Sequence, residues 1–286
     1  MKERALVLGG GGPAGIAWEV GLVAGLALAG VDVGRADLVL GTSAGSFLGA
    51  QIVTGIDPQV LAQMHVATSQ ELARRGHAPQ AKEPLALYEF MRRMPQDSEP
   101  PRSLLMEMGQ LALSSETIAE AEFVSRFNGM FGPTPTWSPR YGCTAVRARD
   151  GEFKIWTLAD HVDLQRAVAA SCAVPGVFPP VTLNGEAWMD GGARSWTNAD
   201  CAAGHRKVIV AAVVLPINRK LHLPVLERER KAIEAAGGEA VFLMPDDESL
   251  AAMGGELMGA PRGAEITAAG TAQGQREGAA LKAFWS

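Results

Sequence analysis

A serine set among glycines, Gly41-Thr42-Ser43-Ala44-Gly45, is the strongest chemical signal in the sequence. The pattern is G-x-S-x-G, and its chemistry depends on where it sits. A serine on a sharp strand-to-helix turn is held in a strained backbone conformation with its hydroxyl exposed as a nucleophile. The small residues Gly41 and Gly45 would let strand and helix close on one another. A helix starting at Ala44 would add backbone N–H groups and a positive dipole end where an oxyanion develops. The apolar run at 37–40 and the apolar stretch to about residue 54 supply the required strand and helix.

A nucleophilic serine needs a proton acceptor. The five histidines, His65, His77, His161, His205 and His222, each stand without a motif around them. Asp190-Gly191-Gly192 is the better candidate, because a carboxylate followed by two glycines can be presented at a strand end with the backbone folded tightly beneath it. Within hydrogen-bond reach of Ser43 it could act as the base, provided desolvation raises its pKa. On frequency alone, an Asp-Gly pair is also an ordinary turn.

The run Gly10-Gly11-Gly12-Pro13-Ala14-Gly15 is open to several readings. It fits G-x-G-x-x-G formally. A dinucleotide turn would want an acidic residue about 20 positions on, near the end of the second strand, which here runs into Gly41 and Ser43 instead. No Gly-Lys-Ser/Thr follows, so it is not a Walker loop. Alternatively the N–H groups of Gly10, Gly11 and Gly12 point at one carbonyl oxygen, forming an oxyanion hole that no Cβ obstructs. Or the run is a packing turn between strand and helix.

The elements that must position these groups follow from the pattern. Strand, glycine turn and helix occur twice within the first 55 residues, at 5–29 and 37–54, which is the signature of a parallel α/β sheet. Residues 57–128 read as helical, with Asp57 as N-cap and Pro58 in the first turn, broken into short helices by Pro79, Pro84, Pro95, Pro100 and Pro101. The region is methionine-rich (Met64, Met91, Met94, Met106, Met108, Met130), which suits an adaptable acyl channel and a helical core equally well. Arg74-Arg75 and Arg92-Arg93 read as solvated faces that anionic lipid could meet. Strands are expected at 140–147, 153–157 and 207–215, with hairpin turns at Asp150-Gly151 and Asn184-Gly185 and a helix at 162–171. Helix, strand and helix are then expected at 224–236, 240–244 and 246–258, and a last helix at 264–283.

Composition narrows the class. With 26 Lys+Arg against 31 Asp+Glu the net charge is −5, which offers no basic face to nucleic acid. Three scattered cysteines, Cys143, Cys172 and Cys201, make neither a disulfide framework nor a zinc site. They point to a reducing, cytoplasmic setting. The first apolar stretch is too short for a signal-peptide core, and no window reaches the length of a membrane span, which leaves peripheral lipid contact open.

Taken together, these residues resemble the patatin-like phospholipase family. The glycine-rich turn, Gly41-Thr42-Ser43-Ala44-Gly45-Ser46 and Asp190-Gly191-Gly192 stand in that family's order and approximate spacing. Between them, Ala170-Ser171 and Pro175-Gly176-Val177-Phe178-Pro179-Pro180 look like the segment preceding its acid. The resemblance covers roughly 5–215. It implies a three-layer α/β/α sandwich with a mostly parallel central sheet, a helical insertion (57–135) between core segments 1–56 and 136–215, and a C-terminal extension (216–286). It implies a Ser43–Asp190 dyad without histidine, which cleaves lipid esters through an acyl-enzyme and needs no metal or cofactor. The oxyanion would be held by Gly10, Gly11, Gly12 and Ala44, with Gly15, Gly41, Gly45, Gly191 and Gly192 supporting the motifs. Two positions depart from the family. Its usual Arg or Lys before the last glycine is Ala14 here, and Asn198-Ala199-Asp200 keeps the Asn of Asn-x-Pro without the proline. Rival readings are a dinucleotide-dependent oxidoreductase, an acyltransferase of the malonyl-transacylase type (which wants a histidine where Thr42 stands), and a non-catalytic scaffold on the same fold.

Overall fold

The computed structural model describes residues 2–74, 89–90, 92–255, 257–258 and 262–286. At its centre lies an eight-stranded sheet. In chain order the strands are β1 (Lys2–Leu8), β2 (Leu38–Gly41), β3 (Tyr141–Arg147), β4 (Phe153–Thr157), β5 (Val181–Leu183), β6 (Glu186–Asp190), β7 (His205–Ala211) and β8 (Glu239–Leu243). The helices among the described residues include α1 (Gly12–Leu28), α2 (Ala44–Ile52), α3 (Pro58–Arg74), α4 (Arg102–Ser114), α5 (Glu120–Ser125), α6 (Leu164–Ser171), α7 (Arg219–Ala235), α8 (Asp247–Met253) and α9 (Gly263–Trp285).

Strands β3, β2, β1, β7 and β8 lie side by side in parallel. Strand periodicity sorts their side chains between two layers. From β1 and β7, Leu6, Leu8, Ile209 and Ala211 join one apolar cluster with α1, α2 and α9. The alternate residues Ala5, Val7, Val208 and Val210 join a second with Ala199, Ala202 and Ile233 of α7. The result is the expected α/β/α sandwich with a mostly parallel sheet.

Several boundaries differ from the sequence reading, each for a local reason. Helix α1 begins at Gly12 rather than near Ile16, because Pro13 falls in the first turn, where a missing N–H costs nothing. Helix α7 begins at Arg219, leaving Pro224 inside it rather than at its start. There a three-residue turn at Pro216–Asn218 leads into it, and Leu226, Glu229 and Ile233 form its buried face. Helix α8 is capped by Asp246 and stops at Met253, because Gly254 takes the left-handed conformation at φ 66°. The sheet draws its last strand, β8, from the C-terminal extension. In the insertion, Asp57 caps α3 by accepting from the N–H of Gln59 at 2.9 Å. Expectations for Arg75, His77, Pro79, Pro84 and Met91 lie outside the described residues.

Candidate active site

The sheet places Ser43 beside Asp190 by bringing two strand ends together. One edge of β3 pairs first with β2, through Tyr141 to Cys143, and then with β6, through Ala145 to Arg147. Strand β4 occupies the opposite edge. Because β2 runs parallel to β3 and β6 antiparallel, their C-terminal ends face one another: Gly41 is opposite Cys143 and Asp190 is opposite Ala145. Ser43 follows Gly41 by one intervening residue.

Ser43 has φ 53° and ψ −118°, the strained turn that the G-x-S-x-G motif requires. Its N–H donates to Ser171 Oγ at 3.0 Å. Its carbonyl accepts from Ser46 Oγ at 2.7 Å and from Cys172 Sγ at 3.2 Å. The two motif glycines have a steric cause: a Cβ on Gly41 would overlap the Gly45 carbonyl, and one on Gly45 would overlap that of Leu8. Gly191 is similarly pressed against Thr144, whereas a Cβ on Gly15 would make only a tight contact with Val213 at 3.3 Å.

Asp190 is 4% exposed. Its carboxyl accepts the Gly192 N–H at 2.7 Å, and the Ser43 hydroxyl is close enough to lower its pKa. Burial pushes its pKa up to about 7, against the lowering pull of those two donors.

The oxyanion expectation needs one correction. The Gly10 N–H donates to the Trp196 carbonyl at 2.8 Å, so it is committed to holding the loop. Among the described residues, the N–H groups of Gly11, Gly12 and Ala44 have no protein acceptor, and these three residues line the same cleft as Ser43 and Asp190. Gly45 ties the loop to the elbow by donating to the Gly9 carbonyl at 2.9 Å.

The segment 194–198 joins these parts, a role that sequence reading missed. Asn198, with φ 52°, donates from Nδ2 to Thr42 Oγ1 at 3.1 Å, to the Gly191 carbonyl at 3.2 Å and to the Ser195 carbonyl at 2.8 Å. Thr42 Oγ1 in turn meets Thr144 Oγ1 at 2.8 Å. The hydroxyls of Ser195 and Thr197 both donate to the carboxyl of Glu229 on α7. Burial pushes Glu229 up to about 7, although both hydroxyls lower it. The surviving Asn of the Asn-x-Pro signature was the one available sign of this bridge. Ala14, in the place of the family's basic residue, is fully buried, and its N–H donates to the Leu257 carbonyl at 3.1 Å.

The cleft has a volume of about 1700 Å³ and mainly apolar walls, including Ile16, Phe47, Phe127, Val174 and Phe178. The methionines divide: Met64 and Met130 line the cleft, whereas Met108 is buried in a separate core cluster. Arg74 pairs with Glu71 and Arg93 with Glu107, as solvated side chains do. No described histidine bonds to Ser43 or Asp190. His161 sits exposed in a turn, His205 bonds the Ala202 carbonyl, His222 packs on Trp196, and His65 enters the cleft wall with no bond to Ser43 or Asp190. Among the described residues no group of three His, Cys, Asp or Glu could hold a metal ion. No described helix is long and apolar enough to cross a membrane.

Fold and cleft together define a class: three-layer α/β/α proteins that present a strained serine from a strand–helix elbow to a buried carboxyl. The family model for patatin-like phospholipases matches residues 6–203, and the chain belongs to that family. No curated protein matches the chain. Among solved structures it is similar to VipD from Legionella pneumophila, at 15% identity and a TM-score of 0.38, over 77% of this chain and 52% of that one. It is also similar to the type III effector protein ExoU, at 17% identity and a TM-score of 0.43, over 99% of this chain and 53% of that one. The chain thus spans about half the length of these solved chains.

Proposed function

We propose that this chain is a serine acyl hydrolase that cleaves carboxylic esters of lipids through Ser43 and Asp190. The observation that carries this reading is the strained Ser43 facing the buried Asp190 carboxyl within one apolar cleft. Asp190 takes the Ser43 proton as the hydroxyl oxygen attacks the ester carbonyl. The N–H groups of Gly11, Gly12 and Ala44 receive the negative charge on the carbonyl oxygen. Collapse releases the alcohol, which takes back the proton held on Asp190, and leaves Ser43 acylated. Asp190 then removes a proton from water, whose oxygen attacks the acyl-enzyme; the acid leaves and Ser43 regains its proton. The mainly apolar cleft wall suits an acyl chain. With Ala14 in the glycine loop, a head-group phosphate finds no cation at that position, so neutral esters are the better substrates.

A fluorophosphonate probe tests this directly. It should label the wild-type chain on Ser43, and Ser43→Ala should lose both labelling and hydrolysis of nitrophenyl esters, by about 10³-fold or more. Labelling elsewhere, or ester hydrolysis that survives Ser43→Ala, ends the reading. Absence of labelling in a folded wild-type chain would favour the scaffold alternative, and acyl transfer to an added alcohol in preference to water would favour the acyltransferase.

A further inference from the structure

His65 is the one histidine in the wall of the main cleft among the described residues, and its hydrogen bonding fixes which of its nitrogens carries the proton. Gln51, 6% exposed, donates from Nε2 to the Met130 carbonyl at 3.1 Å. That carbonyl can only accept, so the amide is oriented with its NH₂ toward Met130 and its Oε1 toward His65. Gln51 Oε1 lies 2.9 Å from His65 Nε2. An oxygen there demands a donor, so Nε2 bears the hydrogen and Nδ1 is a bare lone pair. Nδ1 has no hydrogen-bond partner among the described residues and is not sealed from solvent, and the residue that carries it lines the cleft. Burial holds His65 down to about 4, so the ring stays neutral around pH 7.

The surroundings give this atom a place relative to the nucleophile. Ser43, the N-cap of α2, and Phe47 and Gln51 within it recur every four residues, and all three line the cleft. The His65 ring meets Phe47 edge-on at 5.9 Å and bonds Gln51, so it lies one to two turns beyond Ser43, about 6–12 Å at the helical rise. The neighbouring wall is apolar, with Phe127 and Phe131 packed on Phe47. An acceptor set beside these rings discriminates by chemistry. It favours a hydroxyl, which can donate, over an ether or carbonyl oxygen, which can only accept.

We propose that His65 Nδ1 is a hydrogen-bond acceptor for a hydroxyl carried by the substrate, so that the cleft takes hydroxylated lipid esters. The inference rests on the reading of the Ser43 cleft as an ester site, and its test is a binding measurement that does not depend on turnover. Hydrolysis-resistant amides of graded length serve as probes, each in plain, terminal-hydroxy and terminal-methoxy form. One series carries the substituent on the acyl chain and the other on the amine-side chain, which tells an acyl-side from an alcohol-side hydroxyl. Calorimetry on the wild-type chain should find one spacing at which the hydroxy amide binds about five- to tenfold more tightly than both counterparts. In His65→Phe that ratio should fall to one, whatever the absolute affinity. Equal affinities at every spacing in both series overturn the proposal without recourse to a variant. So does a hydroxyl preference that survives in folded His65→Phe. Because phosphonate labelling of Ser43 is read separately, loss of the hydroxyl preference with labelling intact removes this inference and leaves the serine hydrolase reading in place.

Discussion

At Ser43 the backbone occupies a region that costs about 1–3 kcal/mol for a residue bearing a side chain. In this conformation Ser43 bonds to Ser171, Ser46 and Cys172, which offsets part of that cost. Asp190 shows a second tension at the scale of single residues. A carboxylate in water stays ionised at neutral pH and is a weak base, whereas burial pushes Asp190 to about 7, where it is both partly ionised and basic enough to take a proton. In the proposed mechanism Asp190 must be ionised to accept the proton, so kcat/KM for a nitrophenyl ester should rise with pH through about 7 along a single ionisation and then level off. A profile flat from pH 5 to 8 would show that this carboxyl does not gate the reaction. Ser43 and Asp190 were legible because each carries flanking glycines whose spacing has a local cause. The commitment of the Gly10 N–H to Trp196 and the entry of His65 into the cleft were not legible, since both depend on residues brought together only by the folded sheet.

Among the elements, the head-to-head arrangement of β2 and β6 on β3 does the positioning, and the helices behind it depend on close backbone approach. Helices α1 and α9 cross through glycines: a Cβ on Gly21 would overlap the Thr267 carbonyl, one on Gly25 that of Thr271, and one on Gly274 that of Leu22. The recurrence Gly21-x-x-x-Gly25 and Gly270-x-x-x-Gly274-x-x-x-Gly278 was visible in the sequence as a high glycine content, but a count does not say which helix meets which. Gly25→Val should therefore lower the unfolding free energy by about 2–4 kcal/mol, as overpacking and backbone displacement do. In urea the midpoint should fall at unchanged slope. A midpoint equal to wild type would mean that the two helices can part without cost. The strand–glycine–helix units were legible because their signals are local. The start of α7 was not, because Pro224 normally opens a helix and here lies within one whose buried face, Leu226, Glu229 and Ile233, is set by tertiary packing.

Over the whole molecule, one short segment bridges the three parts that meet at the cleft. The glycine loop, the elbow and the acid turn come from distant parts of the chain, yet each bonds to the segment 194–198, and Glu229 fastens that segment to α7. Glu229 is fully buried, and its pKa stands at about 7 where an ordinary glutamate has 4.5. The consequence for stability has a definite sign. Below about 4.5 the carboxyl is protonated in both folded and unfolded chains, and no charge has to be buried on folding. Between about 4.5 and 7 the unfolded chain ionises while the folded one does not, so stability is lost as pH rises, to a total of about 3 kcal/mol above that window. Asp190 adds a loss of the same sign over nearly the same range. Half-buried carboxylates held low by arginine, such as Asp150, act in the opposite direction at lower pH. A comparison of two proteins that share them cancels their effect. Glu229→Gln keeps an oxygen for one of the two hydroxyls and removes the charge. Its melting temperature should fall less than that of wild type between pH 5 and 8, so that the two curves converge or cross toward alkaline pH. Parallel curves would show that Glu229 takes up no proton on folding, and that the bridge is held by hydrogen bonds to an ionised carboxylate instead.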